Sequence, residues 1–214
     1  MFLKAQDRIS CATHFYGALS ALILTFCYLL KGWIENTDPL IVFSACVFSM
    51  SAVLLYSASS IYHFVSIQKK AHRILRKLDH SMIFVLIAGS YTPFVLPYFE
   101  RTEALIFLGI LWFVAIGGIL MKIFWIDAPR IATTLLYLLM GWAAVFYLPA
   151  FVQNLSAGCM ILVVSGGIFY SIGGIIYMMK KPNFTQMFGF HELFHCFILA
   201  GTLMHALAVY FCVF

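Results

Sequence analysis

Two histidines four residues apart, His191 and His195, open the last apolar stretch of this 214-residue chain. On a helix this spacing puts both side chains on one face, with Cβ atoms about 5–6 Å apart, so both imidazoles can reach one divalent ion. They interrupt a segment of Phe, Leu, Ile, Val and Ala, where an ionisable residue is a functional-site hypothesis by default. The pair therefore predicts a metal site; the alternative is that both rings form hydrogen bonds inside a helix bundle.

The same stretch fits His-Glu-x-x-His, the pattern of zinc metalloproteases, in which Glu192 would be the general base. On a helical wheel, however, the Glu192 side chain points about 100° away from His191. An acid near a helix N-terminus is stabilised by the helix dipole, and we favour this interpretation of Glu192.

The composition places these histidines in a membrane. The chain is 64% hydrophobic and 10% charged, whereas a soluble domain is about half apolar and a quarter charged. A membrane-spanning helix needs about 20 apolar residues. The segments that meet this requirement are Cys11–Leu30, Leu40–Phe64, Asp79–Tyr98, Ala104–Phe124, Ile131–Val152, Cys159–Met179 and Met187–Phe214. Because the connections are short, we expect one all-α domain over residues 1–214, an integral membrane bundle of seven transmembrane helices.

The charges in the connections predict how this bundle is oriented. Eleven of the 13 Lys and Arg residues lie at the N-terminus or in the second, fourth and sixth connections, and only Lys31 and Arg101 lie on the other side. The positive-inside rule then predicts a cytoplasmic N-terminus and an outside C-terminus. The basic residues are spread over short loops, so we expect no nucleic-acid partner.

The predicted orientation brings polar residues from three spans to the same leaflet. The second span ends at His63, the third begins with Asp79, and the seventh begins with His191 and His195. Three histidines with a fourth position open are the ligand set of a catalytic zinc site, in which the bound water has a pKa near 7. The sequence therefore predicts that His63, His191 and His195 bind Zn²⁺.

Three further residues are predicted to support this site. Asp79 is expected to act as a general base or to orient a ligand; the alternative is a salt bridge with Lys77 or Arg76. Ser59 and Ser60 share a helical face with the predicted ligand of the second span. They either orient that histidine or only allow close helix packing, and the sequence leaves both interpretations open.

Two other histidines, His14 and His205, lie in predicted spans but are not expected to bind the ion. His205 follows His191 by 14 residues, about 21 Å along a helix, which is too far for the same ion. We expect it to form a hydrogen bond between helices. His14, near the cytoplasmic end of the first span, could contact the metal site without binding the ion.

Three segments resemble the hemolysin III family, the bacterial branch of the progestin and adipoQ receptor superfamily. They are Ser-Ser-Ile-Tyr-His at 59–63, the segment from Leu-Asp-His-Ser to Tyr-Thr-Pro-Phe at 78–94, and His-Glu-Leu-Phe-His at 191–195, which is followed by Ala-Gly-Thr-Leu-Met-His at 200–205. The likeness covers nearly the whole chain. It implies a seven-helix bundle with a cytoplasmic N-terminus and a zinc ion near the cytoplasmic side. It also implies that His63, His191 and His195 are the ligands and that Asp79 lies near the metal-bound water.

The resemblance also bears on two other positions and on function. Family members carry other residues at the position of Glu192, and the acid and Asn that precede the first-span histidine in the family are Asp7 and Ser10 here. The likeness to adiponectin receptors, which belong to the same superfamily, implies hydrolysis of ceramide-like lipid amides. The likeness to the bacterial branch implies haemolysis, a role in membrane lipid homeostasis and a multi-pass protein of the bacterial inner (plasma) membrane.

Three functions remain open from the sequence. The first is a zinc-dependent hydrolase of a lipid amide or ester, with membrane lipid as both environment and substrate. The second is a receptor-like or pore-forming, cytolytic membrane protein in which zinc is structural. The third is an intramembrane metalloprotease. The oligomeric state is not predicted.

Overall fold

The computed structural model describes residues 2–66, 68 and 71–214. Within these residues the regular structure is entirely helical, and seven helices are long and apolar enough to cross a membrane. Their bounds are α1 Arg8–Ile34, α2 Pro39–Phe64, α3 Ala71–Val95, α4 Arg101–Phe124, a fifth span built from α5 Arg130–Gly141 and α6 Leu148–Asn154, α7 Ala157–Met179, and α8 Phe190–Ala208, which continues as a π-helix over Val209–Val213. The prediction of an all-α bundle with seven spans is confirmed.

Side-chain caps mark the starts of three helices. The carboxylates of Asp38 and Glu100 and the hydroxyl of Ser156 accept hydrogen bonds from backbone N–H groups in the first turns of α2, α4 and α7. These N–H groups have no partner within the helix, so a polar side chain at this position stabilises the start. All three caps lie at the end of the bundle opposite the N-terminus.

Apart from α4, which packs on α3, the spans form a closed ring in the order α1, α2, α3, α5, α7, α8 and back to α1. α1 packs on α2, α2 on α3 and α3 on α4, while α8 packs on both α7 and α1. α3 is the most buried span and also contacts α5. The N-terminus and the α2–α3, α4–α5 and α7–α8 connections lie at one end of the bundle, which we call the basic end. Lys69 and Lys70, counted above in the second connection, lie outside the described residues.

α3 begins earlier than the apolar pattern predicts. It starts at Ala71 rather than at Asp79, so Asp79 lies about two turns inside the helix. The added turns are basic, and Arg76 donates a 3.0 Å hydrogen bond to Asp127 in the next connection at this end. Hydropathy marks only the part of a helix that lies in lipid, which explains why it missed these turns.

The fifth span is interrupted rather than continuous. α5 ends at Gly141, a short 3₁₀ segment covers Ala143–Tyr147, and α6 follows. The Tyr91 hydroxyl of α3 donates to the Gly141 carbonyl and accepts from the Ala144 N–H at 3.2 Å. A broken helix at membrane depth needs such partners, because lipid offers none.

Candidate metal centre

Three histidines from two distant spans meet at the basic end. His63 lies in the last turn of α2, and His191 and His195 lie in the first two turns of α8. One ring nitrogen from each of the three lies within 4.8 Å of the others. The Nε2 atoms of His63 and His191 are 3.2 Å apart, close to the roughly 3.3 Å between two nitrogens bound to a tetrahedral zinc ion at its usual bond length.

Asp7 fixes the ring of His63. Its carboxylate lies 2.9 Å from Nδ1 of His63, and its backbone N–H donates to the His63 carbonyl at 3.0 Å. This hydrogen bond lowers the pKa of the Asp7 carboxyl, which therefore stays ionised. With the Nδ1 proton directed at Asp7, the Nε2 lone pair of His63 faces the other two rings. A carboxylate behind a ligating imidazole is the usual arrangement at metal sites.

α1 also contacts α8 beside the cluster. The Ser10 hydroxyl donates to Oε1 of Glu192 at 2.9 Å, and the His14 ring stacks on His195 with 3.6 Å between ring centroids. The other carboxylate oxygen of Glu192 accepts the N–H of Gly189, the residue before the first turn of α8, at 2.9 Å. Both Glu192 oxygens therefore have partners in the fold, as expected of an acid that stabilises a helix N-terminus.

Asp79 lies in the wall next to the histidines. It is buried on α3 beside Ser59 of α2, and both line the same cavity as His191 and His195. The alternative salt bridge is not formed in the described part of the chain, because Arg76 pairs with Asp127 and Lys77 donates to a backbone carbonyl.

The two serines of α2 have different neighbours. Ser59 adjoins the Asp79 carboxylate, whereas the Ser60 hydroxyl donates to the Cys11 carbonyl of α1 at 3.0 Å. Ser60 thus joins two helices, and the partner of the His63 Nδ1 is Asp7 rather than a serine.

An apolar cavity of about 220 Å³ leads from the histidines into the bundle. Its lining includes His191 and Asp79 at the basic end and Phe151 and His205 deeper in the bundle. His191 and His205 are separated by 14 residues of helix, so the cavity spans about 20 Å along α8. His205 Nε2 lies 3.1 Å from the Val163 carbonyl of α7, the hydrogen bond between helices expected from the sequence.

The donor set fits a zinc ion. Three imidazole nitrogens with room for a further ligand are the set found in catalytic zinc sites. Nδ1 of the buried His195 has no hydrogen-bond partner within the described residues. Burying such a group without a partner is unfavourable, and a cation shared by the three rings would relieve part of this cost.

The contact between Asp7 and His63 was not predicted from the sequence, where Asp7 stands only as the acid that precedes the first-span histidine. Asp7, Ser10 and His14 nevertheless follow a helical i, i+3, i+7 pattern that marks one face at the start of α1. Ser10 and His14 are buried on that face, in contact with α8. A polar stripe at the basic end of the first span, together with the rule that ligating histidines need a carboxylate, was the available signal.

Comparison with known proteins agrees with this architecture. A family model described as "Haemolysin-III related" matches residues 2–206. The chain is 35% identical over 214 residues to the hemolysin-3 homolog of Bacillus subtilis, covering all of this chain and 95% of that protein. It is 33% identical to hemolysin-3 of Bacillus cereus, covering 99% of this chain and 91% of that protein.

More distant similarity extends to animal proteins. The human monocyte to macrophage differentiation factor is 24% identical over 174 residues, 78% of this chain and 69% of that protein. The Drosophila melanogaster adiponectin receptor protein is 23% identical over 216 residues, 90% of this chain and 47% of that protein. The full-length matches to the two bacterial relatives and to the family model, together with the seven apolar helices, establish that this chain is a multi-pass integral membrane protein of the haemolysin III-related family.

Proposed function

We propose that this protein is a zinc-dependent hydrolase that cleaves an amide or ester bond of a membrane lipid. The observation that supports this proposal is the three-histidine cluster, which opens into an apolar cavity about 20 Å long with Asp79 in the shared wall. Such a cavity suits a lipid chain, and it presents the chain's polar end to the histidines.

The roles of the residues follow from their positions. His63, His191 and His195 hold the ion through neutral nitrogens, and Asp7 keeps the His63 ring in the required orientation. When bound, zinc supplies a Lewis acid that polarises the lipid carbonyl and brings the pKa of water to about 7. Asp79 accepts the proton of the attacking water and delivers it to the leaving amine or alkoxide.

The proposed function includes an orientation in the membrane. The excess of Lys and Arg at the basic end supports a cytoplasmic position for this end and for the N-terminus, in the inner membrane of a bacterium. The lipid enters laterally between helices, since both its tail and the cavity are apolar.

The experiment is hydrolysis of a defined ceramide and a defined lipid ester by the purified chain, with zinc content measured by elemental analysis. We expect His191→Ala to lose both zinc and hydrolysis. Asp79→Asn should keep zinc and lose hydrolysis by about 10²–10⁴-fold, the usual contribution of a general base. His205→Gln, distant from the cluster, serves as the control for zinc content. Undiminished turnover in both Asp79→Asn and His191→Ala would contradict the zinc-dependent mechanism, and absence of hydrolysis by the zinc-loaded wild type would contradict the enzymatic proposal.

A non-enzymatic protein with structural zinc, receptor-like or pore-forming, is the second candidate. It is favoured by the 128 positions that separate His63 from His191, because an ion between them would fasten two distant helices together. This candidate predicts that zinc removal lowers the unfolding temperature while neither lipid is hydrolysed by the zinc-loaded chain.

A further inference from the structure

A buried lysine lines the cavity near its basic end. Lys122, in the last turn of α4, is only 2% exposed, and its Nζ donates a 3.0 Å hydrogen bond to the Thr133 hydroxyl of α5. That hydroxyl donates in turn to the Pro129 carbonyl. Within the described part of the chain no carboxylate lies within ion-pair distance of the ammonium. The lysine therefore has one neutral acceptor for its three protons.

The helix end alone does not account for this burial. A cation in the last turn is favoured by the helix dipole, but the effect is available to an exposed side chain as well. Removing an unpaired ammonium from water is costly, and long basic side chains near membrane surfaces normally extend into the headgroups instead. An anion supplied from outside the chain would offset the cost.

Arginines extend the positive charge from Lys122 to the surface. Arg130 lines both the cavity and a recess that opens beside His191, where its guanidinium lies 4.5 Å from the ring centroid of Tyr177. Arg76 lines both spaces as well, and it shares the single carboxylate of Asp127 with Arg73. Among the described residues, four cations line the two spaces, and the one carboxylate in the same lining is that of Asp79. With Asp127, which pairs with Arg73 and Arg76 outside the lining, the group has an excess of two positive charges.

We propose that Lys122 and Arg130 form an anion subsite that binds the phosphate of an anionic membrane lipid. Arg130 lies three residues, about one helical turn, before Thr133, the acceptor of the Lys122 ammonium, so both cations lie at the same face of α5. Ammonium and guanidinium groups are both common ligands of phosphate. The subsite lies at the basic end, where lipid headgroups lie, and the apolar cavity continues from it into the bundle. The phosphate site is independent of the proposed function, whereas the placement of the lipid tail in that cavity rests on it.

The test measures the unfolding temperature of the full chain in a phosphate-free maltoside detergent with chelator present. The added probes are phosphatidylglycerol, uncharged diacylglycerol and inorganic phosphate, and native mass spectrometry counts bound lipid. Phosphatidylglycerol at saturation should raise the unfolding temperature of the wild type by roughly 5 °C or more. Diacylglycerol should raise it less.

Variants separate this subsite from general attraction to a basic surface. Lys122→Met should weaken phosphatidylglycerol binding about tenfold or more, the effect of losing one charge-assisted hydrogen bond. The same substitution should raise the unfolding temperature without lipid, because the unpaired charge is gone. Lys122→Arg and the control Lys77→Met, whose ammonium donates to the Ile123 carbonyl outside the cavity, should bind as the wild type does.

Two results would overturn the anion subsite, and a third would change the ligand assigned to it. Equal responses of wild type and Lys122→Met to every probe, or equal shifts by diacylglycerol and phosphatidylglycerol, would overturn it. A shift by inorganic phosphate alone that Lys122→Met abolishes would keep the anion subsite and assign it to a soluble phosphate rather than a lipid. Because chelator is present throughout, the subsite can fail or stand independently of the zinc proposal.

Discussion

The imidazole rings of His14 and His195 lie face to face, with centroids 3.6 Å apart and planes 2° from parallel. The first span therefore supports a predicted ligand of the seventh by direct ring contact. We expect His14→Ala to leave a void beside His195 and to weaken zinc binding about tenfold, as loss of an outer contact at a metal site commonly does. His14→Phe keeps the stacked ring and should bind zinc nearly as the wild type does. Competition with a chromogenic chelator measures both, and equal weakening in the two variants would assign the effect to the His14 nitrogens instead.

Asp7 should matter for metal binding more than its exposed position suggests. Asp7→Ala removes the carboxylate that orients His63, so we expect zinc affinity to fall about 10–100-fold. Asp38→Ala is the matched control, because Asp38 precedes α2, the helix that carries His63, and caps the first turn at its opposite end. This control should lower the unfolding temperature slightly and leave zinc affinity unchanged. The same zinc affinity in both variants would contradict the role assigned to Asp7.

Tyr91 should stabilise the interruption of the fifth span. Tyr91→Phe leaves the Gly141 carbonyl and the Ala144 N–H without their partner in an apolar environment, at a cost of about 1–3 kcal/mol. Tyr147→Phe removes a hydroxyl that has no hydrogen-bond partner among the described residues, and it should be nearly neutral. Thermal unfolding in detergent compares the two, and similar losses would show that ring packing rather than the hydrogen bonds is responsible.

Adjacent glycines of α4 should respond in opposite ways to an added methyl group. A Cβ at Gly118 would overlap the Phe84 ring of α3, whereas a Cβ at Gly117 meets no described atom within 4 Å. Overpacking of this kind costs about 1–3 kcal/mol. Gly118→Ala should therefore lower the unfolding temperature, while Gly117→Ala should leave it unchanged or raise it. A neutral Gly118→Ala would mean that α3 and α4 separate easily.

Glu192 distinguishes the lipid hydrolase from a metalloprotease. Glu192→Gln keeps one oxygen to accept the Gly189 N–H, and its NH2 group can donate to the Ser10 hydroxyl oxygen, so α8 should start normally and zinc should be retained. We expect lipid hydrolysis to change less than threefold or so, because an interaction at a helix start contributes about 0.5 kcal/mol. Loss of activity as large as that in a ligand variant would instead support a general base at this position.

The spans and the histidine cluster could be predicted from the sequence because both follow from helix geometry and hydropathy. His63, His191 and His195 could be brought together by counting turns and alternating the direction of the spans. The interruption of the fifth span at Gly141 could not be predicted, because hydropathy over residues 131–152 reflects composition and contains no information on the hydrogen bond from Tyr91. Asp7 was missed because its partner, His63, is 56 positions away and is reached through a contact between helices.

The separation of the three histidines along the chain has a consequence for biosynthesis. His63 emerges from the ribosome with the second span, but the first of its partners, His191, follows only 128 positions later, after five further membrane crossings have begun. The cluster can therefore not be assembled until the final hairpin has inserted. A chain truncated or stalled before that point keeps Asp7 and His63 without the other two rings, so an ion that needs all three histidines would be bound by completed molecules only.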